Sequence, residues 1–272
     1  MKTIKSAKNV TGTKEWAKKN ANCVSGCSHD CFYCYARSIS VRFRRKTAQT
    51  WKNEIVLGAK PIGGKPCRVM FPTTHDITPN TLPVCSNQIQ LILDGGHEIL
   101  IVSKPHLDCV AAICKRFKGY KKKILFRFTI GSAANETLKF WEPNAPSLDE
   151  RLQALKLAHQ QGFQTSISCE PMLDDNIEAV VKLVEPYVTT DIWIGKMNHV
   201  RARLSHNKAT AEVVAAGEAL IKMQCDENIK SLYARLKNHP KIMWKDTIKK
   251  VVGIEAPQAS DLASRWTMRT TE

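Results

Sequence analysis

At 272 residues, with 43% hydrophobic and 24% charged side chains, the chain has the size and composition of one large soluble globular domain. No stretch approaches the roughly 18 consecutive apolar residues that a membrane helix needs, and residues 1–10 carry lysines but no apolar run; this excludes a transmembrane helix and predicts that no signal peptide is present. The net charge of +16 favours anionic partners such as nucleic acid or nucleotides, although a solvated basic surface would carry the same charge.

Short apolar runs alternate with amphipathic stretches along the first two thirds of the chain. The apolar runs predict a short strand that leads into 23–26, and further strands at 66–72, 97–102, 123–130, 163–169 and 191–196. Between them the pattern predicts helices at 34–46, 87–94, 107–117, 147–161 and 176–184. Ser147 and Glu150 form a capping-box sequence at the start of one helix, and Gly162 follows its end.

This alternation predicts an α/β fold, a partial, open (β/α)6 barrel of parallel strands with helices outside. After about residue 200 the pattern becomes helical, most clearly at 210–223 and 226–236. We therefore predict a core at residues 15–200 and a helical C-terminal extension at residues 201–272. In parallel barrels the chemistry collects where strands end, which here means residues 73–76, 103–106, 131–132 and 170–172.

Ten cysteines in a chain of this kind predict a reducing, cytoplasmic location, where clustered thiols indicate metal ligands rather than disulfides. Cys27, Cys31 and Cys34 are separated by three and then two residues. This spacing lets one loop wrap three corners of an iron–sulfur cluster and leaves the fourth iron open for a ligand. Two alternatives stay open: a zinc site, which usually has a second cysteine pair downstream, and an electron-transfer cluster with Cys23 as its fourth ligand.

Residues 26–37, Gly-Cys-Ser-His-Asp-Cys-Phe-Tyr-Cys-Tyr-Ala-Arg, resemble the signature of radical S-adenosylmethionine (SAM) enzymes. They are similar in particular to the spore photoproduct lyase-like branch of that family. Similar motifs follow the later strands: Thr74-His-Asp76, Ser103-Lys104, Glu142-Pro with the downstream Arg151-Leu, and Glu170-Pro-Met. The resemblance covers about residues 20–195.

The resemblance implies that Cys27, Cys31 and Cys34 hold three irons of a [4Fe–4S] cluster and that SAM chelates the fourth. One electron from flavodoxin or ferredoxin would then cleave SAM to give a 5′-deoxyadenosyl radical. The resemblance also implies a contact between Lys104 and the SAM carboxylate. The remaining residues that we expect at the cofactor are Tyr33, Thr74, Thr129 and Glu170.

Two residues refine this expectation. Glu170 lies at a strand end, where packing does not call for an acid, so we expect it to pair with Arg127 or Arg151 or to hold a substrate hydroxyl or amine. Thr73 stands where the lyases that repair the spore thymine lesion carry a hydrogen-donating cysteine, and a hydroxyl is a far poorer hydrogen-atom donor.

The sequence therefore favours a radical SAM enzyme that acts on nucleic acid or a nucleotide-like anion. One alternative is a DNA repair enzyme of the spore photoproduct lyase type. The other is a non-enzymatic module in which metal-binding cysteines brace a nucleic-acid-binding surface. The sequence does not determine the oligomeric state or the hydrogen that is abstracted.

Overall fold

Seven parallel strands form one open sheet in the computed structural model, which describes residues 10–258. In chain order the strands are β1 (Lys19–Asn20), β2 (Val24–Ser25), β3 (Ile55–Val56), β4 (Arg68–Phe71), β5 (Glu98–Ser103), β6 (Ile124–Thr129), β7 (Gln164–Cys169), β8 (Ile192–Ile194) and β9 (Ile242–Trp244). The sheet has the order β1-β4-β5-β6-β7-β8-β9, and β2 and β3 form a separate antiparallel pair. The predicted α/β class and the partial, open barrel are confirmed, because β1 and β9 are two free edges of the sheet. The sheet has seven strands, however, rather than the six of the predicted (β/α)6 arrangement.

The helices connect the strands and cover the outside of the sheet. They are α1 (Tyr35–Arg42), α2 (Leu82–Asp94), α3 (Leu107–Arg116), α4 (Asn135–Trp141), α5 (Leu148–Gln160), α6 (Ile177–Val184), α7 (Val200–His206), α8 (Ala211–Met223), α9 (Asp226–Leu236) and α10 (Asp246–Val252). Within residues 10–258, none of these helices combines the length and apolar character needed to cross a membrane.

The capping box at the start of α5 is half formed. The Ser147 hydroxyl accepts a hydrogen bond from the backbone N–H of Glu150 at 3.2 Å, as the sequence predicts. The Glu150 carboxylate instead accepts from the backbone N–H of Leu107 at 3.1 Å. The acid thereby ties the start of α3 to the first turn of α5, while Ser147 alone caps α5.

Side chains of the central strands alternate between two environments. On β6, Phe126 and Phe128 pack in the large core between the sheet and the helices, whereas Leu125 joins a small inner core with Met70 and Leu100. This alternation follows from the two-residue period of a strand. The inner apolar core is small, which leaves room inside the barrel for polar side chains near the strand ends.

Two strands differ from the sequence expectation. The predicted strand near 23–26 is two short ones: β1 belongs to the sheet, while β2 pairs with β3. A further strand, β9, lies in the predicted helical extension and pairs with β8, with Ile192 opposite Ile242. Three residues are too few to show a periodicity. The domain boundary at residue 200 stays a prediction, and residues 259–272 of that extension lie outside the described range.

Candidate active site

The C-terminal ends of the parallel strands open onto one cavity of about 290 Å³. The residues that line it at or just after the ends of β4 to β9 are Thr73, Thr74, Lys104, Thr129, Glu170, Lys196 and Lys245. The loop between β2 and α1, which we call the cysteine loop (residues 26–34), lines another part of the same cavity. The strand ends and the three predicted cluster cysteines therefore share one site.

The cysteine loop brings its three thiols to this cavity through tight turns. The backbone N–H of Asp30 donates to Cys27 O at 3.3 Å, and that of Cys34 donates to Cys31 O at 3.2 Å. Cys34 is also the N-cap of α1, and its Sγ accepts from the backbone N–H of Arg37 at 3.4 Å.

The electrostatic environment of the three thiols suits a metal cluster. Burial raises the pKa of Cys27, Cys31 and Cys34. The Asp76 charge raises the pKa of Cys27 further, whereas Lys104 opposes the rise at Cys31. Three adjacent thiols, two of them buried and the third partly so, cannot all ionise unless a strong positive charge lies between them. A metal centre provides that charge and binds thiolates directly, so the residues present fit an iron–sulfur cluster.

Gly26 lets the cysteine loop pack closely against the chain that follows α1. Its φ is +96°, and a Cβ at this position would lie 2.5 Å from Asn53 O and 2.6 Å from Trp51 O. The backbone N–H of Cys27 donates to the same Trp51 carbonyl at 3.0 Å. A side chain at residue 26 would therefore push the loop away from its support.

We expect Gly26→Ala to destabilise the protein by about 1–3 kcal/mol, because it combines an unfavourable φ with a backbone clash. Thermal unfolding and iron content after reconstitution measure the effect. Gly58→Ala is the matched control, since Gly58 has a φ of +86° but open space around its Cβ position. Equal behaviour of the two variants would show that close packing at Gly26 is unimportant.

Asp76 connects the cysteine loop to the end of β5. Its carboxylate accepts from the Lys104 backbone N–H at 2.9 Å and lies 2.8 Å from His29 Nδ1, 3.4 Å from Lys104 Nζ and 3.9 Å from Cys27 Sγ. Burial alone would raise the pKa of Asp76, but Lys104 and His29 hold it well below its usual value. Asp76 is thus an ionised group beside the cavity, and the Lys104 ammonium is paired with it.

The second nitrogen of His29 continues this network towards the surface. His29 Nε2 lies 2.9 Å from His106 Nε2, and His106 Nδ1 lies 3.4 Å from the Glu150 carboxylate. Cys27, His29 and Asp76 offer ligand atoms within 4.8 Å of one another. Both ring nitrogens of His29 already have side-chain partners, so hydrogen bonding accounts for this trio without a second metal.

A fully buried network supports Tyr33. The Tyr33 hydroxyl donates to the Glu142 carboxylate, which pairs with Arg151 at 2.5 Å. The Arg151 guanidinium also donates to Pro146 O at 2.8 Å and to Thr129 O at 3.1 Å. Burial and the Glu142 charge raise the pKa of Tyr33 well above its usual value, so this phenol stays neutral. Glu142 and Arg151 are therefore positioning residues that join Tyr33 to the end of β6.

The expected pairing of Glu170 with Arg127 or Arg151 is wrong. Arg151 forms its ion pair with Glu142, and the Arg127 guanidinium pairs with Asp191 at 2.9 Å. Glu170 instead pairs with Lys245 at 2.9 Å, and its carboxylate remains at the cavity wall. The physical reason is β9: the missed strand places Lys245 next to the cavity, where a buried ammonium needs an anionic partner.

Sequence reasoning also missed three cationic residues of the cavity, namely Lys196, Arg203 and Lys245. Lys196 stands at the end of a predicted strand, and that position could have identified it as a cavity residue. Arg203 lies on α7, and nothing in its sequence context predicts a place at the cavity. Burial lowers the pKa of Arg203, an effect that the Glu170 charge opposes. Four cationic side chains line the cavity (these three and Lys104) against two acidic ones, Asp76 and Glu170. Lys196 also pairs with Asp226 outside the cavity at 3.6 Å, which leaves one positive charge in excess. This excess favours an anionic ligand.

The other predicted residues have defined places. Thr73 and Thr74 line the cavity, their backbone N–H groups donate to Asn22 Oδ1, and the Thr73 hydroxyl accepts from Asn22 Nδ2 at 2.6 Å. Thr129 lines it as well. Cys23 does not line it: its Sγ lies 3.8 Å from that of Cys85, away from the cluster cysteines.

The chain is similar to a known protein family and to two curated proteins. The family model of the Radical SAM superfamily matches residues 22–186, which include the cysteine loop and β2 to β7. An uncharacterized protein of Acidianus two-tailed virus is 22% identical over 254 residues, covering 80% of this chain and 78% of that protein. An uncharacterized protein of Methanocaldococcus jannaschii is 23% identical over 252 residues, covering 84% of this chain and 92% of that protein.

Among solved structures, SAM-bound SuiB from Streptococcus suis is similar with a TM-score of 0.49 and 11% identity. The match covers 84% of this chain, which spans 50% of the SuiB chain. The comparisons do not place the chain in the spore photoproduct lyase-like branch, and that assignment stays a prediction.

Proposed function

The chain belongs to the radical SAM superfamily, and from that premise we propose that it cleaves SAM reductively at a [4Fe–4S] cluster held by Cys27, Cys31 and Cys34. When bound, the cluster and SAM supply a 5′-deoxyadenosyl radical that abstracts a hydrogen atom from the substrate. The observation that carries the proposal is the meeting of three closely spaced thiols and six strand ends at one cavity. A structural metal site has no need of an adjoining cavity lined by charged residues.

The residues around the cavity have separate tasks in this proposal. Lys104 provides a positive charge for the SAM carboxylate, and Asp76 holds its ammonium close to the cysteine loop before SAM binds. Tyr33 lies beside Lys104, with the ammonium 5.7 Å from the ring centroid. Thr74 and Thr129 supply hydroxyls at the cavity wall, and Glu170 can accept from a hydroxyl or amine. An external reductant, flavodoxin or ferredoxin, supplies the electron.

We propose that the substrate is nucleic acid or a nucleotide-like anion. The excess positive charge of the cavity and the net charge of +16 support this class. Repair of the spore thymine lesion is less well supported, because among the residues described only the three cluster cysteines bring thiols to the cavity. Thr73, at the position of the hydrogen-donating cysteine, has its hydroxyl bonded to Asn22.

The decisive experiment incubates anaerobically reconstituted, reduced protein with SAM and measures 5′-deoxyadenosine. We expect 5′-deoxyadenosine and methionine in equal amounts. A fully loaded cluster that yields none would instead favour the non-enzymatic module. For the substrate, binding to DNA and RNA oligonucleotides should weaken steeply with salt, because phosphate contacts release counterions; affinity that ignores salt would argue against nucleic acid.

A further inference from the structure

Exposed apolar side chains are concentrated around the cysteine loop. Eight large hydrophobic residues between 10 and 258 are exposed, and six of them lie between residues 35 and 57. These six are Tyr35, Ile39, Phe43, Ile55, Val56 and Leu57. Ile39 and Phe43 lie one turn apart, on α1 and at its C-cap, and are 45% and 60% exposed. Apolar groups that cluster on one part of a surface mark an interaction site more often than scattered ones do.

Two arginines lie over the Phe43 ring, and a third follows Phe43 in the chain. Arg42 and Arg45 each hold a guanidinium carbon 5.7 Å from the Phe43 ring centroid, and Arg44 lies between them in the chain. All three are exposed, and none has an ion pair with any residue that the structure describes. We call Ile39, Arg42, Phe43, Arg44 and Arg45 the α1 face. It combines an apolar centre with a positive rim.

No acid on this stretch of chain neutralises the α1 face. Between residues 35 and 57 the single acidic residue is Glu54. Its carboxylate is turned inward, where it accepts from the Ser28 backbone N–H and hydroxyl at 3.0 Å and from the Thr78 hydroxyl at 2.9 Å. The positive charge of the α1 face therefore remains available to a partner.

The α1 face lies next to the cysteine loop. Helix α1 begins at Tyr35, and Cys34 is its N-cap. Since a helix advances about 1.5 Å per residue, Phe43 is about 14 Å from Cys34 along the helix. Of the three cluster cysteines, Cys34 is the one that is only partly buried. A protein seated on the α1 face would thus be close to the cluster without entering the cavity.

We propose that the α1 face docks a small acidic electron-carrier protein of the flavodoxin class. This inference rests on the proposed function, which needs one external electron for each SAM cleaved. The carrier's reduced flavin loses one electron, and the cluster passes from the 2+ to the 1+ state. The aliphatic and aromatic centre of the α1 face favours a protein over nucleic acid, whose phosphates need only the cationic rim.

Charge complementarity and size agree with this partner. Opposite charges steer encounter and raise association rates, while weak redox complexes use small interfaces. A few exposed arginines around one or two apolar side chains match such a short-lived complex. The carrier can therefore dock, deliver its electron and leave.

The test measures cluster reduction by stopped-flow absorbance with two reductants: photoreduced flavodoxin, and photoreduced 5-deazariboflavin, which is small and uncharged. In Arg42→Glu/Arg45→Glu we expect flavodoxin to reduce the cluster about ten- to a hundredfold more slowly. Phe43→Ser should weaken flavodoxin binding in titration calorimetry while keeping its salt dependence. Both variants should be reduced by deazariboflavin at the rate of the unmodified protein.

Lys122→Glu/Lys123→Glu is the matched control, because it makes the same charge change at exposed residues just before the N-terminal end of β6, whereas the cavity lies at the C-terminal ends of the strands. It should leave both rates unchanged. Unaltered flavodoxin reduction in the α1-face variants, equal slowing with both reductants, or loss of oligonucleotide binding alone would overturn the docking proposal. A protein without a cluster would overturn both proposals, whereas a cluster that flavodoxin reduces without 5′-deoxyadenosine formation would overturn only the proposed function.

Discussion

Replacing Cys27, Cys31 or Cys34 singly with alanine is expected to abolish the broad visible absorbance of reconstituted protein and the formation of 5′-deoxyadenosine. Each cysteine is the only protein ligand of one iron in the proposed cluster, and among the described residues no other thiol lines the cavity to replace it. The measurements are the absorbance spectrum, iron and sulfide content, and product analysis after addition of SAM and reductant.

Cys23→Ala is the matched control for these variants, since Cys23 lies four residues upstream and is also buried. Its thiol contacts Cys85 rather than the cavity, so Cys23→Ala should keep the cluster and the activity. Loss of the cluster in Cys23→Ala would support the four-cysteine electron carrier. Zinc in place of iron in the unmodified protein would support the structural metal site.

Arg151→Met is expected to lower the free energy of unfolding by about 3–5 kcal/mol. The substitution keeps much of the side-chain volume but leaves the Glu142 carboxylate buried without its partner, and both side chains are 0% exposed. Two hydrogen bonds to backbone carbonyls are lost as well. Urea unfolding followed by circular dichroism gives the change in free energy.

The contrasting variants distinguish a buried pair from an exposed one. Arg201→Met removes a pair with Glu218 in which Arg201 is 71% exposed, and it should change stability little. The double variant Glu142→Gln/Arg151→Met should recover part of the loss, because it removes both charges together. If Arg151→Met were as stable as Arg201→Met, the Glu142–Arg151 pair would not support the end of β6 as described.

Much of the site was predictable because its chemistry is local in the chain. The three cysteines of the proposed cluster fall within eight residues, so their spacing alone predicts a shared metal centre. Thr74, Lys104 and Glu170 each follow an apolar strand, and parallel strands must bring such positions to one edge. The strand–helix alternation likewise predicted the α/β class, because the sheet and helix periods are properties of short segments.

The partners of charged residues were not predictable in this way. Glu170 pairs with Lys245, which is 75 positions away along the chain and follows a three-residue strand with no periodic signal. The excess positive charge of the cavity was not predictable either, because α7 contributes Arg203 to it. Nor does the sequence show that Glu54 turns inward and leaves the α1 face positive. A sequence shows which side chains are charged. It does not show which of them form ion pairs, because that depends on distances set by the packing of segments far apart in the chain.

By itself, then, the sequence determined the cluster motif, the alternation that builds the barrel, and the strand ends that surround the site. Only the tertiary structure decided which of the charges at the site are neutralised and that Cys23 turns away from the cavity. It also decided that β9 adds an edge strand to the sheet. The division has one physical cause. Ligand spacing and periodicity act over a few residues, whereas Coulomb interactions and burial act through space.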